Sequence, residues 1–289
     1  MKPPAFEYVA AGSVEEAVSL LAEHQGDAKV IAGGQSLVPM LNFRLLAPAV
    51  LVDLNRIPGL DGVAEHEGGL RIGALTRHRV LETSEAVKAR FPVLHDAMRF
   101  VAHLAIRNRG TIGGSLCHAD PAAELPTIAV LLDAEIEAAG SGGRRTIAAR
   151  AFFESALATT LEEDEIVTEI RLPGLPARTG WAFEEFARRS GDFGIAGVGA
   201  TLSLEGGAVA EARIALLGVG QTPLRASAAE ALLRGKARDD DLTAAAAEAA
   251  REAAEPEGDL HGSADYRRHL VGVLARRAIA AAWDRAEAA

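Results

Sequence analysis

The chain contains the stretch Ala32-Gly33-Gly34-Gln35-Ser36 and, further along, Thr111-Ile112-Gly113-Gly114-Ser115, two glycine pairs that each end an apolar run. Glycine in such a place lets backbone N–H groups turn towards an anion without a Cβ atom in the way. One Gly-Gly pair after a strand is usually an ordinary turn, but two in one chain favour a shared phosphate site. The pattern predicts that each pair lies where a strand gives way to a loop, and that a side chain at Gly33 or Gly113 would occupy the space of a phosphate oxygen.

Length and composition indicate a globular protein of about two domains. The chain has 289 residues, of which 49% are hydrophobic, and 40 acidic against 30 basic residues give a net charge of -10. This acidic balance argues against nucleic acid or an anionic membrane as the partner. The apolar runs are too short to span a membrane, and Met1–Glu7 lacks the apolar core of a signal peptide. We therefore expect a cytoplasmic protein.

The cysteine and histidine content argues against a metal centre in this chain. Cys117 is the single cysteine, which excludes an intramolecular disulfide and any four-cysteine iron-sulfur or zinc site within the chain. His118 and Asp120 are close in sequence, but the other histidines and carboxylates show no ligand spacing. The sequence therefore predicts no metal site.

The first half of the chain has the pattern of an α+β protein. A capping box at Ser13-Val14-Glu15-Glu16 predicts a helix that ends near His24 to Gly26. Pro121 begins a helix that runs to about Leu132, and the region 76–101 is predicted to be helical with a break near Phe91-Pro92. Strands are predicted at 28–32, 49–54, 69–74, 135–139 and 165–172.

A linker is predicted at 172–177, because two prolines and a glycine in this segment stop both helix and strand. The domain boundary is placed there, with one domain over 1–176 and the other over 177–289. The second domain is predicted to hold a three-stranded antiparallel sheet, in which Gly206-Gly207 forms a hairpin turn. Its predicted strands are 181–187, 196–204 and 209–217, and its predicted helices are 228–233, 241–254 and 264–283.

Several familiar nucleotide and hydrolase motifs are absent from the sequence. No segment matches a P-loop, and the stretch Gly218-Val219-Gly220 continues to Pro223 where a dinucleotide fingerprint needs glycine. A Gly-x-Ser-x-Gly motif is also missing, and no serine has an identifiable base. The sequence therefore predicts neither a Rossmann cofactor fold nor a hydrolase, and no catalytic acid, base or nucleophile is assigned.

Four motifs, in order along the chain, resemble those of a known family. They are Ala-Gly-Gly-Gln-Ser at 32–36, Ile-Arg-Asn-x-Gly-Thr-Ile-Gly-Gly-Ser at 106–115, Ala-Asp-Pro-Ala-Ala-Glu at 119–124 and Arg-Arg-Ser-Gly-Asp-Phe at 188–193. With these motifs the chain resembles the FAD-binding medium subunit of the molybdenum hydroxylases, the group that contains aerobic carbon monoxide dehydrogenase and xanthine dehydrogenase. The resemblance implies a vanillyl-alcohol-oxidase-type (PCMH-type) FAD-binding domain of two subdomains, followed by the family's C-terminal α+β flavoprotein domain.

The same resemblance implies a set of FAD-binding residues. Asp120 or Glu124 would meet the adenosine end, Ile166 or Val167 would line the flavin, and Phe193 would approach the isoalloxazine ring. An ordinary aromatic in a core between the domains is the other interpretation of Phe193. Relatives often carry a flavin-contacting lysine at about this point. This chain has Glu184 and Glu185 there instead, so no residue is assigned. Backbone groups of the two glycine segments would hold the diphosphate: Ala32, Gly33, Gly34, Gln35, Ser36 and Leu37, and Thr111, Ile112, Gly113, Gly114 and Ser115.

The function implied by the resemblance is that of an oxidoreductase subunit which transfers electrons. FAD would receive electrons withdrawn from substrate on a molybdenum-cofactor large subunit, relayed through a two-iron two-sulfur small subunit, and pass them to an external acceptor. The implied assembly is a dimer of heterotrimers. Two alternatives stay open: a self-sufficient flavin oxidoreductase of the same fold, which would need a proton-transfer residue over the flavin, and a non-catalytic assembly subunit, which would be colourless.

Overall fold

The structure of the protein is a computed structural model that describes residues 2–289. Its strands are β1 (Glu7–Ala10), β2 (Ala28–Ile31), β3 (Val50–Asp53), β4 (Val63–His66), β5 (Gly69–Gly73), β6 (Glu135–Gly140), β7 (Gly143–Ala148), β8 (Phe153–Ser155), β9 (Ala158–Thr159), β10 (Ile166–Leu172), β11 (Thr179–Phe186), β12 (Ala196–Glu205), β13 (Ala208–Leu217) and β14 (Leu224–Arg225). Its helices are α1 (Val14–His24), α2 (Leu37–Asn42), α3 (His78–Thr83), α4 (Glu85–Arg90), α5 (Pro92–Ala97), α6 (Leu104–Arg107), α7 (Ile112–His118), α8 (Glu124–Leu131), α9 (Ala149–Phe152), α10 (Ser227–Leu233), α11 (Asp240–Glu252) and α12 (Ala264–Ala288).

The first sheet is small and parallel, in the order β1-β3-β2. The helix α1 packs on it with Ala17, Val18 and Leu21 buried. As the capping box predicts, the Ser13 hydroxyl accepts a hydrogen bond from the Glu16 N–H at 3.1 Å. Parallel pairing places the carboxyl ends of β2 and β3 at one edge of the sheet, and the first glycine segment begins directly at that edge.

The second sheet is antiparallel, in the order β4-β5-β10-β6-β7. Its apolar face packs against helices α5 and α8 in one core that contains Ile72, Ile136 and Ile170. The two sheets correspond to the two subdomains of the expected FAD-binding fold. The predicted helical region 76–101 is in fact three short helices, because Ser84 caps α4 by accepting from the Val87 N–H at 3.3 Å and so begins a new helix there.

The third sheet has four strands, in the order β11-β12-β13-β14, and not the three that the sequence predicts. The predicted strands are present, and Gly206 and Gly207 have φ angles of +60° and +83°, as the tight hairpin between β12 and β13 requires. The additional strand β14 consists of two residues, which is too short to show a periodic pattern.

The third sheet is covered on one side by α12 and meets the rest of the chain on the other. Gly180 of β11 contacts the backbone of Ala282 in α12 so closely that a Cβ atom has no room there. On the opposite face Phe183 and Leu217 join the same apolar core as α5 and α8. None of the helices within residues 2–289 combines the length and apolar character needed to cross a bilayer.

Candidate functional site

A pocket opens at the carboxyl edge of the first sheet, where β2 and β3 end. It has a volume of about 360 Å³. Open α/β sheets commonly bind ligands at this edge. The lining residues are Ile31, Ala32, Gly33, Gly34, Gln35, Val38, Pro39, Asn42, Asp53, Asn55 and Arg109.

The first glycine segment offers a row of unused backbone donors to this pocket. Among the described residues, no acceptor takes a hydrogen bond from the N–H groups of Gly33, Gly34, Gln35 or Ser36. Gly34 has a φ angle of +73°, which glycine adopts without strain. A run of free N–H groups beside a pocket suits an anionic group with several oxygens, such as a diphosphate.

The second glycine segment differs from the expected strand-to-loop turn, because Gly113 and Gly114 lie inside helix α7. Thr111 is the N-cap of this helix, and its Oγ1 accepts from the Gly114 N–H at 3.1 Å. A Cβ atom at Gly113 would lie 2.7 Å from both Cβ and the carbonyl oxygen of Ala74. This close approach of backbones explains why glycine stands in a helix that it would otherwise weaken.

The backbone donors of the second segment from Ile112 to Ser115 are already used inside the protein. The N–H of Ile112 donates to the Thr76 carbonyl at 3.1 Å, and the N–H of Gly113 donates to the Ala74 carbonyl at 2.8 Å. The N–H of Ser115 donates to the Thr111 carbonyl at 3.0 Å. The two segments are therefore unequal: the first has free donors for an anion, whereas the second is held against the segment 74–78 and shapes the site.

The first segment nevertheless packs directly against the residues just before the second, so the two segments lie side by side. A Cβ atom at Gly33 would clash with the carbonyl oxygen of Arg109 and lie 2.8 Å from Cα of Gly110. One at Gly114 would lie 3.9 Å from Cβ of Ala32. The expectation that side chains at Gly33 and Gly113 would displace phosphate is wrong in its cause, because at both positions the added atoms meet the protein's own backbone.

A network of polar side chains that the sequence analysis missed borders the pocket. The Asn55 amide donates to the carbonyl of Ala32 at 2.8 Å and accepts from the Arg77 guanidinium at 2.5 Å. Arg77 also donates to the carbonyl of Arg109, and Tyr8 donates to Asp53. The available sequence signal was the pair Asp53 and Asn55 at the end of the strand β3, at the same sheet edge as the glycine segment.

A buried histidine contacts the first residue of the second segment. His78 Nε2 lies 2.9 Å from the Thr111 carbonyl, and a Cβ atom at Gly110 would lie 2.9 Å from the ring. Burial lowers the pKa of His78 to about 4. The neutral ring therefore donates its Nε2 proton to Thr111 at physiological pH and adds no charge to the site.

The remaining predicted residues lie in different environments. The Asp120 carboxylate accepts from the Ala122 N–H at 2.9 Å and caps its own turn. The side chains of Ile166 and Val167 are buried in two apolar cores, so only their backbone can face a ligand. Phe193 is 68% exposed and is therefore not a core aromatic.

Glu124 and Glu185 form a pair of poorly solvated carboxyl groups between the first part of the chain and the third sheet. Burial, reinforced for Glu124 by the charge of Asp120, raises its pKa to about 7. Burial and then the charge of Glu124 raise the pKa of Glu185 to about 8. Glu185 Oε2 is buried without a hydrogen-bond partner. No group of three or more potential metal ligands occurs within residues 2–289.

Comparisons with known proteins identify the family of this chain. Residues 4–175 match the family described as the FAD-binding domain in molybdopterin dehydrogenase, and residues 181–282 match the carbon monoxide dehydrogenase flavoprotein C-terminal domain. The chain is 45% identical to the 6-hydroxypseudooxynicotine dehydrogenase complex subunit alpha of Paenarthrobacter nicotinovorans, over 99% of this chain and 97% of that protein.

Carbon monoxide dehydrogenase provides a further relative in sequence and structure. The medium chain from Hydrogenophaga pseudoflava is 42% identical over 99% of both proteins. A solved structure of carbon monoxide dehydrogenase from this organism, lacking the Mo-pyranopterin moiety of the molybdenum cofactor, superimposes with a TM-score of 0.97 at 45% identity and 99% coverage of both chains. The chain therefore belongs to the family of FAD-binding medium subunits of the molybdenum hydroxylases.

Proposed function

We propose that this chain holds FAD with its diphosphate at the pocket lined by the first glycine segment. The observation that carries the proposal is the row of four free N–H groups from Gly33 to Ser36, at the carboxyl edge of a parallel sheet. A diphosphate carries two negative charges and needs several donors. The guanidinium groups of Arg77 and Arg109 at the same place add positive charge.

The other predicted residues have narrower roles in this proposal. The segment 111–115 shapes the site through its close packing and its side chains, because its N–H groups from 112 to 115 are already satisfied. Ser36 and Leu37 begin helix α2 beside the first segment, and Asp120 or Glu124 would meet the adenosine end. Ile166 or Val167 would offer backbone atoms to the flavin, and the exposed ring of Phe193 would approach it.

FAD supplies the redox chemistry when it is bound, because it can accept and release one or two electrons. The residues of the chain would position it, control its access to water and leave an edge open to an acceptor. We propose that electrons arrive from an iron-sulfur small subunit after leaving substrate on a molybdenum large subunit. The proposed assembly is a dimer of heterotrimers in the cytoplasm, with residues 1–176 and 177–289 as its two domains in this chain.

The first experiment tests cofactor binding against the alternative of a colourless assembly subunit. The full chain is purified, and its visible spectrum and FAD content are measured. One FAD per chain with flavin absorption bands supports the proposal. A colourless chain that also fails to take up added FAD would support the assembly role instead. FMN is the control, since it lacks the diphosphate and adenosine.

The second experiment separates electron relay from self-sufficient catalysis. The isolated FAD-loaded chain is mixed anaerobically with dithionite, or with carbon monoxide, purines, aldehydes or N-heterocycles, and flavin absorption is followed by stopped flow. We expect reduction by dithionite alone, because no acid-base group that could activate a C–H bond is assigned in this chain. Rapid bleaching by one of those substrates would establish a self-sufficient flavoenzyme.

A further inference from the structure

We propose that Asn55 and Arg77 are positioning residues that set the spacing between the two glycine segments and thereby the affinity for FAD. This inference rests on the proposed function. The two side chains form a continuous bridge from the carbonyl of Ala32, in the first segment, to the carbonyl of Arg109, before the second. We call this pair the loop brace.

The orientation of the Asn55 amide is determined by its neighbours. Its Nδ2 donates to the Ala32 carbonyl at 2.8 Å and to Asp53 Oδ1 at 2.5 Å, and both of these atoms can only accept. Its Oδ1 must therefore be the atom that accepts from Arg77. The Asn55 backbone N–H also donates to Asp53 Oδ1, at 2.8 Å. Asp53 thus holds the brace on the end of the strand β3.

The Arg77 end of the brace holds the atom on which the first segment packs. Arg77 donates to the carbonyl oxygen of Arg109, and the same oxygen occupies the space that a Cβ atom of Gly33 would need. A shift of this carbonyl would therefore move Gly33 and its free N–H group. A planar guanidinium can contact two acceptors in a fixed geometry, which an ammonium group cannot do.

The electrostatics of Arg77 do not match those of a residue kept for stability alone. Burial, followed by the like charge of Arg109, lowers the pKa of Arg77, and the attraction of Asp53 and Asp61 offsets only part of this effect. Within residues 2–289, neither guanidinium has a carboxylate at ion-pair distance. Partly burying a cation with no carboxylate in direct contact is unfavourable. The arrangement is consistent with a site that a negatively charged ligand completes.

The test compares Arg77→Gln, Arg77→Lys and Asn55→Ala with the matched control Arg90→Gln. Arg90 also bridges a carbonyl and a polar side chain in the same part of the chain, donating to Gly68 and to Glu65. FAD is removed from each full-length protein, and FAD affinity is measured by flavin fluorescence at several salt concentrations. Thermal unfolding of the FAD-free proteins is measured in parallel.

Loss of a hydrogen bond from a charged donor corresponds to a roughly tenfold to hundredfold loss of affinity. We expect this loss for Arg77→Gln, no rescue by Arg77→Lys, and no change for Arg90→Gln. A variant that combines Asn55→Ala with Arg77→Gln should lose no more affinity than Arg77→Gln alone, since both residues act in one bridge. Rescue by lysine would indicate that charge, and not positioning, is the role of Arg77, and would overturn the inference.

The result also separates this inference from the proposed function. If the unaltered protein binds no FAD, the proposed function fails. If it binds FAD and the Arg77 variants bind it equally well, only the loop brace is refuted. A lower melting temperature with unchanged affinity of the folded protein would assign the two residues a purely structural role, which also contradicts the inference.

Discussion

Gly33 packs against Arg109 with no space for a side chain, so that the first glycine segment meets the residues just before the second through backbone atoms. A Cβ atom at Gly33 would clash with the Arg109 carbonyl oxygen and lie 3.0 Å from its carbon. Such contacts between backbones are rigid, because neither side can rotate away. The geometry of the proposed FAD site therefore depends on the contact between Gly33 and Arg109, which are far apart in sequence.

The first prediction follows from this contact. Gly33→Ala should destabilise the FAD-free protein by about 1–3 kcal/mol, the usual cost of overpacking, and should weaken FAD binding by shifting the free N–H groups. Urea unfolding and flavin fluorescence measure the two effects. The control is Gly142→Ala, where an added Cβ atom meets nothing within 4 Å. If both variants bind FAD equally well, the contact does not determine the site.

The second prediction concerns pH. Glutamate ordinarily has a pKa near 4.5, but burial and then the charge of Glu124 raise the pKa of Glu185 to about 8 in the folded protein. Between these values the folded state binds more protons than the unfolded state, so stability falls as pH rises and levels off above pH 8. Glu185→Gln resembles the protonated form and should remove much of this fall.

Thermal unfolding of the FAD-free protein from pH 5 to pH 9 measures the effect. We expect the melting temperatures of Glu185→Gln and the unaltered protein to be similar at pH 5. At pH 8 the melting temperature of the variant should be higher by about 2–4 °C for each kcal/mol of unfolding free energy that is recovered. Glu184→Gln, at the neighbouring position of β11, is the control. Parallel pH profiles for Glu185→Gln and the unaltered protein would contradict the raised pKa.

The third prediction concerns Phe193. Because its side chain is 68% exposed, Phe193→Ala should change the stability of the FAD-free protein by no more than about 0.5 kcal/mol. If the ring approaches the isoalloxazine, the same substitution should change the flavin absorption spectrum or weaken FAD binding. Leu260→Ala is the control, since Leu260 is 99% exposed. An unchanged spectrum and affinity would remove Phe193 from the site.

The fourth prediction tests the packing of the C-terminal part. Gly180→Ala would place a Cβ atom against both the carbonyl oxygen of Ala282 and the backbone nitrogen of Ala286, so the added methyl group has no free space. We expect a loss of about 1–3 kcal/mol in the free energy of unfolding, with FAD affinity of the folded protein unchanged. Stability equal to that of Gly142→Ala would show that α12 can move to accept the methyl group.

Local patterns in the sequence were sufficient for most of the secondary structure. The capping box at Ser13 marks the start of α1, and Gly206-Gly207 marks the hairpin between β12 and β13. These signals work because caps and tight turns depend on neighbouring residues. Elements such as β14, with two residues, are held by strand pairing and by the contacts of Arg225 with distant residues, and leave no pattern of their own.

Within the site, the sequence by itself determined the two glycine segments and the family that they indicate. Only the tertiary structure decided that the first segment keeps its donors free while the donors of the second are used by Thr76, Ala74 and Thr111. The loop brace likewise joins Asn55 and Arg77, which share no motif. The physical reason is that hydrogen-bond partners and burial are set by which distant segments meet, and residue spacing along the chain does not record this.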